Sequence, residues 1–509
     1  MTKPIPPDPV PDLDWSSDRA SSFAASTTQI WADVLSGFEG DLPIARAHSA
    51  AEVRDAVAID IPDEPLDTED LLDHLRTVAL SESMYPGHQG FLAYISGSGT
   101  VPGAAADLLA AGLNQNSGGF RLAPAAVEIE QQMMRWIAQR LGMPESTLGY
   151  MTSGGSMSNL IGLTAARNRQ AGWDVRTDGM RAGPQLAVYV SSEVHDTVER
   201  AAQILGIGDS GVRKVPTDSR CSMDVDALET MVADDIANGI RPIAVIGTAG
   251  TTGTGAIDPL DAIADLCEAQ NLWFHVDAAY GGPAAMTDQF RDQFVGIDRA
   301  DSLGMDPHKW LYTPHASACV LVRDPSALSE AFAVDATYIV TDNERTGWGL
   351  DVYEVSPQYS RPFSALKVWV SLLAHGWNAY ERRIAHDIAL AEYLHELVVA
   401  DPELQPMSEP GLSITCFRYV PADLAGDTTA ESYLDDLNER IMFELQLDGR
   451  VFPSNAIIGD RFALRTCVVN FRTEAPTMDL VASETVRIGR ILDAELRSTT
   501  VPRPTGETS

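Results

Sequence analysis

Residues 300–322 read ADSLGMDPHKWLYTPHASACVLV and carry the side chains around which the chemistry is read. At the centre stand Asp306, His308 and Lys309, in the run Asp-Pro-His-Lys-Trp. The apolar residues 316–322 follow and read as a buried strand. Upstream, Asp277 closes the apolar run 272–276, a second buried strand. A lysine amine in an apolar setting can form a Schiff base with an aldehyde. An acid at a neighbouring strand end can pair with a protonated ring nitrogen. Those two functions together are what pyridoxal phosphate asks of a protein. Lys309 by itself would read as one more solvated lysine, so the remaining parts must come from elsewhere in the chain.

Residues 150–159, YMTSGGSMSN, run from a short strand into a helix over 160–169 and carry Ser156, Met157 and Ser158. Glycines and hydroxyls at a helix start form an anion cradle, because backbone N–H groups and the helix dipole face the same point. No GK[ST] follows and no GxGxxG is present here, which excludes a nucleotide P-loop and a dinucleotide fingerprint at this place. His195 comes just after an apolar strand over 186–191. Thr251 comes just after another over 242–248, in the run GTTGTG.

Helical patterns over 197–205 and 260–270 separate these strands. Strands alternating with helices predict an α/β fold with a mostly parallel, doubly wound sheet. Ligands of such sheets gather at the carboxyl ends of the strands. His195, Thr251, Asp277 and Lys309 all fall at such ends or just beyond them, which predicts one shared site. Past the sheet, residues 341–355 are polar and glycine-containing, and they predict a mobile loop that begins near Tyr338. Strands over 413–419 and 462–471 and a helix over 480–496 predict a small C-terminal α+β domain. The expected division is an N-terminal helical arm (1–99), a large α/β domain (100–380) and the small domain (381–509).

Composition narrows the function. Lys and Arg number 36 and Asp and Glu 72, a net charge of −36. That balance argues against nucleic acid or an anionic membrane as partners. The five cysteines lie far apart with no CxxC pair, so neither a zinc site nor a disulfide framework is indicated. A reducing cytoplasm is the expected compartment. No apolar run reaches the ~18 residues of a membrane span. Phe91 and Tyr94, in a loop of aromatics and glycines over 88–99, and Phe120 are the candidates for contact with an apolar substrate.

Taken together, SGGSMSN, His195 in SSEVHDTVERA, GTTGTGAIDP, HVDAAYGG and DPHKW resemble the group II pyridoxal-phosphate decarboxylases. The family includes enzymes for aromatic amino acids, tyrosine, histidine and glutamate. The resemblance runs from about residue 88 to 471. It implies a fold-type I pyridoxal-phosphate enzyme that decarboxylates an L-amino acid, a homodimer with its site at the interface. Position by position, Lys309 resembles the Schiff-base lysine, Asp277 the partner of the pyridinium and His195 the imidazole stacked on the ring. Ser156, Met157 and Ser158 resemble the phosphate-holding turn. Thr251 and Ala279 resemble further cofactor contacts, and His308 the histidine beside the lysine. Tyr338 resembles the mobile-loop tyrosine that reaches the partner's site and is suited to protonate Cα.

Asp306 is a departure: the aromatic branch carries Asn three residues before the lysine, and the Asp-Pro-His-Lys form resembles other branches. Gly97, Gly118 and Gly119 stand where that branch has bulkier groups, which widens the expected pocket or lets Arg121 meet an acidic side chain. The resemblance therefore implies decarboxylation of an aromatic or apolar amino acid, with an acidic amino acid or an aldehyde-forming reaction as alternatives. A cofactor-binding transcription regulator would need an added basic domain, for which this chain has no spare length.

Overall fold

The computed structural model describes residues 13–38, 42–46, 48–333 and 349–500. Seven strands form the main sheet: β1 (Leu148–Thr152), β2 (Leu186–Ser191), β3 (Val212–Val215), β4 (Arg241–Thr248), β5 (Trp273–Asp277), β6 (Ser302–Met305) and β7 (Ala318–Val322). Their order is β1-β7-β6-β5-β4-β2-β3. The pairings from β6 through β3 are parallel, while β7 is antiparallel to both β6 and β1. The expectation of a mostly parallel sheet therefore holds, with β7 as its reversed strand. Both faces are covered by helices, so β2, β5, β6 and β7 are buried along their whole length. This is why they read as continuous apolar runs rather than alternating ones.

Two close approaches set the distance between the sheet and the helix Gly155–Gln170. A Cβ on Gly162 would lie 2.6 Å from His275 Nδ1, and one on Gly304 would lie 2.9 Å from Ser158 Cβ. Glycine at both places lets the helix settle onto β5 and β6, which carries its first turn to the carboxyl ends of those strands.

A second sheet holds β8 (Leu404–Pro406), β9 (Ile414–Tyr419), β10 (Ser454–Ile458) and β11 (Arg461–Cys467), all antiparallel, in the order β10-β11-β9-β8. Helices Trp377–Ala400, Glu431–Asp448 and Ala475–Thr500 pack around it. The expected division after residue 380 falls inside the helix Trp377–Ala400. At the other end of the chain, helix Ser17–Gly37 packs on helix Thr68–Arg76. Ile44, Phe91, Ala93 and Phe452 form a small apolar cluster that ties this segment to the second sheet.

Candidate active site

Five strand ends converge. β2 delivers His195, β4 delivers the Gly250–Thr252 turn, and β5 ends in Asp277. β6 leads into Asp306 and a single helical turn, Pro307–Trp310, that carries Lys309. β1 leads into the Gly154–Gly155 turn and the long helix behind it. The cavity between them measures about 260 Å³, and its walls include Ser156, Asn159, His195, Asp277, Ala279, Asp306, His308 and Lys309.

Asp277 is held from behind. Its Oδ2 accepts from Asn159 Nδ2 at 2.8 Å and its Oδ1 from the Ala279 amide at 3.1 Å. Asn159 Oδ1 lies 3.0 Å from His275 Nε2, His275 Nδ1 lies 2.8 Å from Ser302 Oγ, and Trp273 Nε1 donates to the same Oγ at 2.8 Å. Burial lowers the His275 pKa to about 4, so the ring is neutral and has one N–H. The directions then follow in one sense. Trp273 donates to Ser302, Ser302 donates to His275 Nδ1, His275 Nε2–H donates to Asn159, and the Asn159 amide donates to Asp277. Each buried polar group in this line has its partner, which fixes the orientation of the carboxylate. Asn159, His275 and Ser302 were not read from the sequence as parts of a site. Only the position of His275, two residues before Asp277 on the same face of a strand, carried a signal.

Around Lys309 the structure is equally specific. Lys309 Nζ lies 3.1 Å from Asp306 Oδ2. Trp310 Nε1 and the Tyr312 hydroxyl, one and three residues after the lysine, both donate to buried Asp387, at 2.9 and 2.6 Å. Arg383 donates to its other oxygen at 2.7 Å. Tyr280 stacks on Trp310 at 4.9 Å. The lysine-bearing turn is thus locked to the helix Trp377–Ala400 and to the end of β5. Burial lowers His308 to about 4 and also lowers His315, whose ring lies 4.3 Å from that of His308. His195 is exposed, with Nδ1 accepting from the Thr197 amide at 3.2 Å.

Several expected contacts fall elsewhere. Ser158 is fully buried and bonded to Thr152 Oγ1 and the Cys319 carbonyl, beneath the turn rather than in the cavity. Met157 is half-buried and packs against the apolar core. Thr251 is buried inside its own loop, where its Oγ1 accepts from the Ala256 amide, while Gly250 and Thr252 face the cavity. Phe91 stacks on Phe452 at 5.7 Å and serves packing. Tyr94 is 62 % exposed, and Phe120 packs against Gly349. None of these six is among the residues that wall the cavity. Sequence spacing placed the right loops at the site but not the direction of each side chain. Tyr338 lies outside the described residues.

The cavity fits a pyridine ring bearing a phosphate and an aldehyde. The helix Gly155–Gln170 has no side-chain cap on its first turn, which leaves N–H groups for an anion. Asp277 presents a fixed acceptor for a ring nitrogen, and Lys309 an amine for an aldehyde.

A family model described as "Pyridoxal-dependent decarboxylase conserved domain" matches residues 51–420. The chain belongs to this family. Pyridoxal phosphate is its cofactor and amino acid decarboxylation its reaction class. The chain is 32% identical over 436 residues to an aromatic-L-amino-acid decarboxylase of Bacillus atrophaeus, covering 86% of this chain and 88% of that protein. It is also 32% identical over 408 residues to the cysteine sulfinic acid decarboxylase of Mus musculus, covering 80% and 82%. The crystal structure of TDC from Oryza sativa with PLP and tryptamine superposes with a TM-score of 0.87 at 25% identity, covering 95% of this chain and 99% of that one. Among the described residues no helix is long and apolar enough to cross a membrane.

Proposed function

We propose that the protein decarboxylates an aromatic or apolar L-amino acid to its amine and CO2, as a cytoplasmic homodimer. The observation that carries this reading is that Lys309, Asp277 and the uncapped helix start form three walls of one cavity. Bound pyridoxal phosphate supplies a protonated ring that accepts the electron pair left at Cα when CO2 departs. Lys309 would hold the cofactor through its side-chain amine. Asp277 keeps the ring nitrogen protonated, and the Asn159–His275–Ser302 line keeps Asp277 aimed at it. His195, exposed at the cavity wall, stacks on the ring. The first turn of the helix Gly155–Gln170, with Ser156, holds the phosphate. Tyr338 delivers the proton to Cα.

The dimer reading has its own support. Helix Val101–Leu113 leaves Val101, Leu108, Leu109 and Leu113 exposed, and Leu373 on the helix packed against it is exposed too. An apolar face of that kind is suited to a second copy of the chain. Five free thiols support the reducing compartment. Among the described residues, the sheets and helix boundaries favour an N-terminal arm before residue 100, a large domain to Gly376 and a small domain beyond it.

A second reading, an acidic substrate, rests on a buried cation that is not among the residues walling the cavity. Arg465 on β11 is 2% exposed and donates through Nη1 to Tyr94 O at 3.1 Å and Ser454 Oγ at 3.0 Å. Its Nε and Nη2 are buried without a hydrogen-bond partner. A buried guanidinium with open donors suits a carboxylate or sulfinate. Such a side chain belongs to the substrate named for the mouse relative.

CO2 release from each standard amino acid and from cysteine sulfinate, by the wild type and by Arg465→Met, separates the two readings. Aromatic turnover that survives in Arg465→Met supports the first, and acidic turnover that disappears in it supports the second. Visible absorbance on reconstitution that persists in Lys309→Ala overturns the assignment of Lys309.

A further inference from the structure

We propose that His315 is a specificity-determining residue, which selects an aromatic amino acid carrying a hydroxyl on its ring over one without it. This rests on the aromatic substrate proposed above. His315 lies in the connection between the lysine-bearing turn and β7, and it is one of the walls of the cavity. Its ring lies 4.3 Å from that of His308. Both its backbone and its ring are held in place. Lys367 Nζ donates to the His315 carbonyl at 3.2 Å, and His315 Nε2 lies 3.3 Å from Ser96 Oγ. Ser96 is itself fixed against the lysine-bearing turn, because a Cβ on its neighbour Gly97 would lie 2.6 Å from the Lys309 carbonyl oxygen.

Among the described residues none hydrogen-bonds to His315 Nδ1, and the side chain stays exposed at the cavity. Several other polar walls are already committed. Asn159 bonds to Asp277, His308 Nδ1 lies 2.6 Å from the Ser317 carbonyl, and Lys309 pairs with Asp306. The substrate amine must reach the place that Lys309 Nζ holds, so the substrate side chain projects along the walls beside that turn. His315 offers it a polar atom that no protein group has taken.

The protonation state of the ring decides which chemistry suits that atom. Partial burial lowers the His315 pKa, Lys309 and Lys367 add to the fall and Asp306 opposes it, so the ring is neutral at pH 7. A neutral imidazole has one N–H and one bare nitrogen. If Nε2 carries the hydrogen and donates to Ser96, Nδ1 accepts. If the Ser96 hydroxyl donates to Nε2, Nδ1 donates. A ring hydroxyl both donates and accepts, so it satisfies Nδ1 in either tautomer. An indole N–H only donates and a carboxylate only accepts, so each suits one tautomer alone. A bare phenyl ring suits neither, and it displaces water from Nδ1 without replacing the hydrogen bond.

The test compares kcat/KM for tyrosine and phenylalanine, which differ by one hydroxyl, in wild type, His315→Phe and His315→Gln loaded with pyridoxal phosphate. One neutral hydrogen bond exchanged for water is worth roughly threefold to tenfold, so the wild type should favour tyrosine by that factor. His315→Phe should lose the preference, and His315→Gln, which keeps a donor and an acceptor, should retain part of it. Calorimetry gives a readout that needs no turnover and no variant. Hydroxyphenylpropanoate, which is tyrosine without its amine, should bind the wild type more tightly than phenylpropanoate by the same factor. A tyrosine preference that is the same in wild type and His315→Phe, or equal binding of the two propanoates by the wild type, overturns the inference. Turnover of neither tyrosine nor phenylalanine overturns the aromatic substrate instead, and the inference falls with it.

Discussion

Asn159 Nδ2 donates to Asp277 Oδ2 across 2.8 Å, although the two residues stand 118 positions apart in the chain. The contact places a side chain from the first turns of a helix behind an acid at the end of β5. It converts a carboxylate that could rotate into one with a fixed free edge towards the cavity.

Asp277→Asn should therefore keep measurable cofactor binding and lose turnover by roughly two to four decades, about 3–5 kcal/mol of barrier. Asn159→Ala removes only the support. It should lower kcat by roughly tenfold, with a change in the pH dependence of cofactor absorbance as the sign of a loosened Asp277. Steady-state kinetics together with a spectral pH titration checks both. Full activity in Asp277→Asn would leave the acid a structural role alone.

His308 gives a prediction about stability and pH. Burial lowers its pKa to about 4 from an ordinary 6.5, so the unfolded chain binds a proton between those values that the folded chain does not. Stability from this group is present above about pH 6.5 and is lost as pH falls towards 4. Relative to His308→Gln, which cannot titrate, the unloaded wild type should lose up to about 3 kcal/mol between pH 7 and pH 4. Denaturant unfolding of both proteins at several pH values measures the difference. A gap that does not change with pH would mean that the fold leaves the His308 pKa where the unfolded chain has it.

Arg361 and Glu130 form a buried ion pair, with Nη1 to Oε1 at 2.9 Å and Nη2 to Oε2 at 3.0 Å. Arg361 also donates to the Met151 carbonyl on β1 at 2.7 Å, just before the glycine turn. Arg361→Met leaves Glu130 buried without its partner and should cost about 3–5 kcal/mol of folding stability. The double variant Arg361→Met with Glu130→Leu should recover a large part of that loss. Urea midpoints decide the matter, and an additive double variant would contradict the pairing energy.

Tyr338 is tested by mixing subunits. Tyr338→Phe and Lys309→Ala homodimers should each be inactive. If the tyrosine serves the partner's site, a heterodimer puts both defects in one site and leaves the other intact. Roughly half of a normal dimer's activity should return. Heterodimers that form without recovery would place Tyr338 in its own subunit's site or outside the reaction.

The sequence by itself determined most of the sheet, its main helices and the loops that carry chemistry. Lys309, Asp277, His195 and the glycine-rich turn could be placed at one end of the sheet because buried strands are continuous apolar runs, and their ends are visible where such runs stop. Strand β3 escaped notice because it is a short edge strand in which Arg213 and Lys214 break the apolar pattern. Only the tertiary structure decided which side chain on each loop faces the cavity. Ser158 and Thr251 turned inward because each found a buried hydrogen-bond partner from a neighbouring residue, while Ser156 and Thr252 were left to face the ligand. Phe91 went to a cluster with Phe452, a partner hundreds of residues away. The line from Trp273 to Asp277 was settled in the same way. Spacing along a chain fixes which residues can share a neighbourhood, whereas orientation depends on contacts between segments that meet only when the sheet has closed.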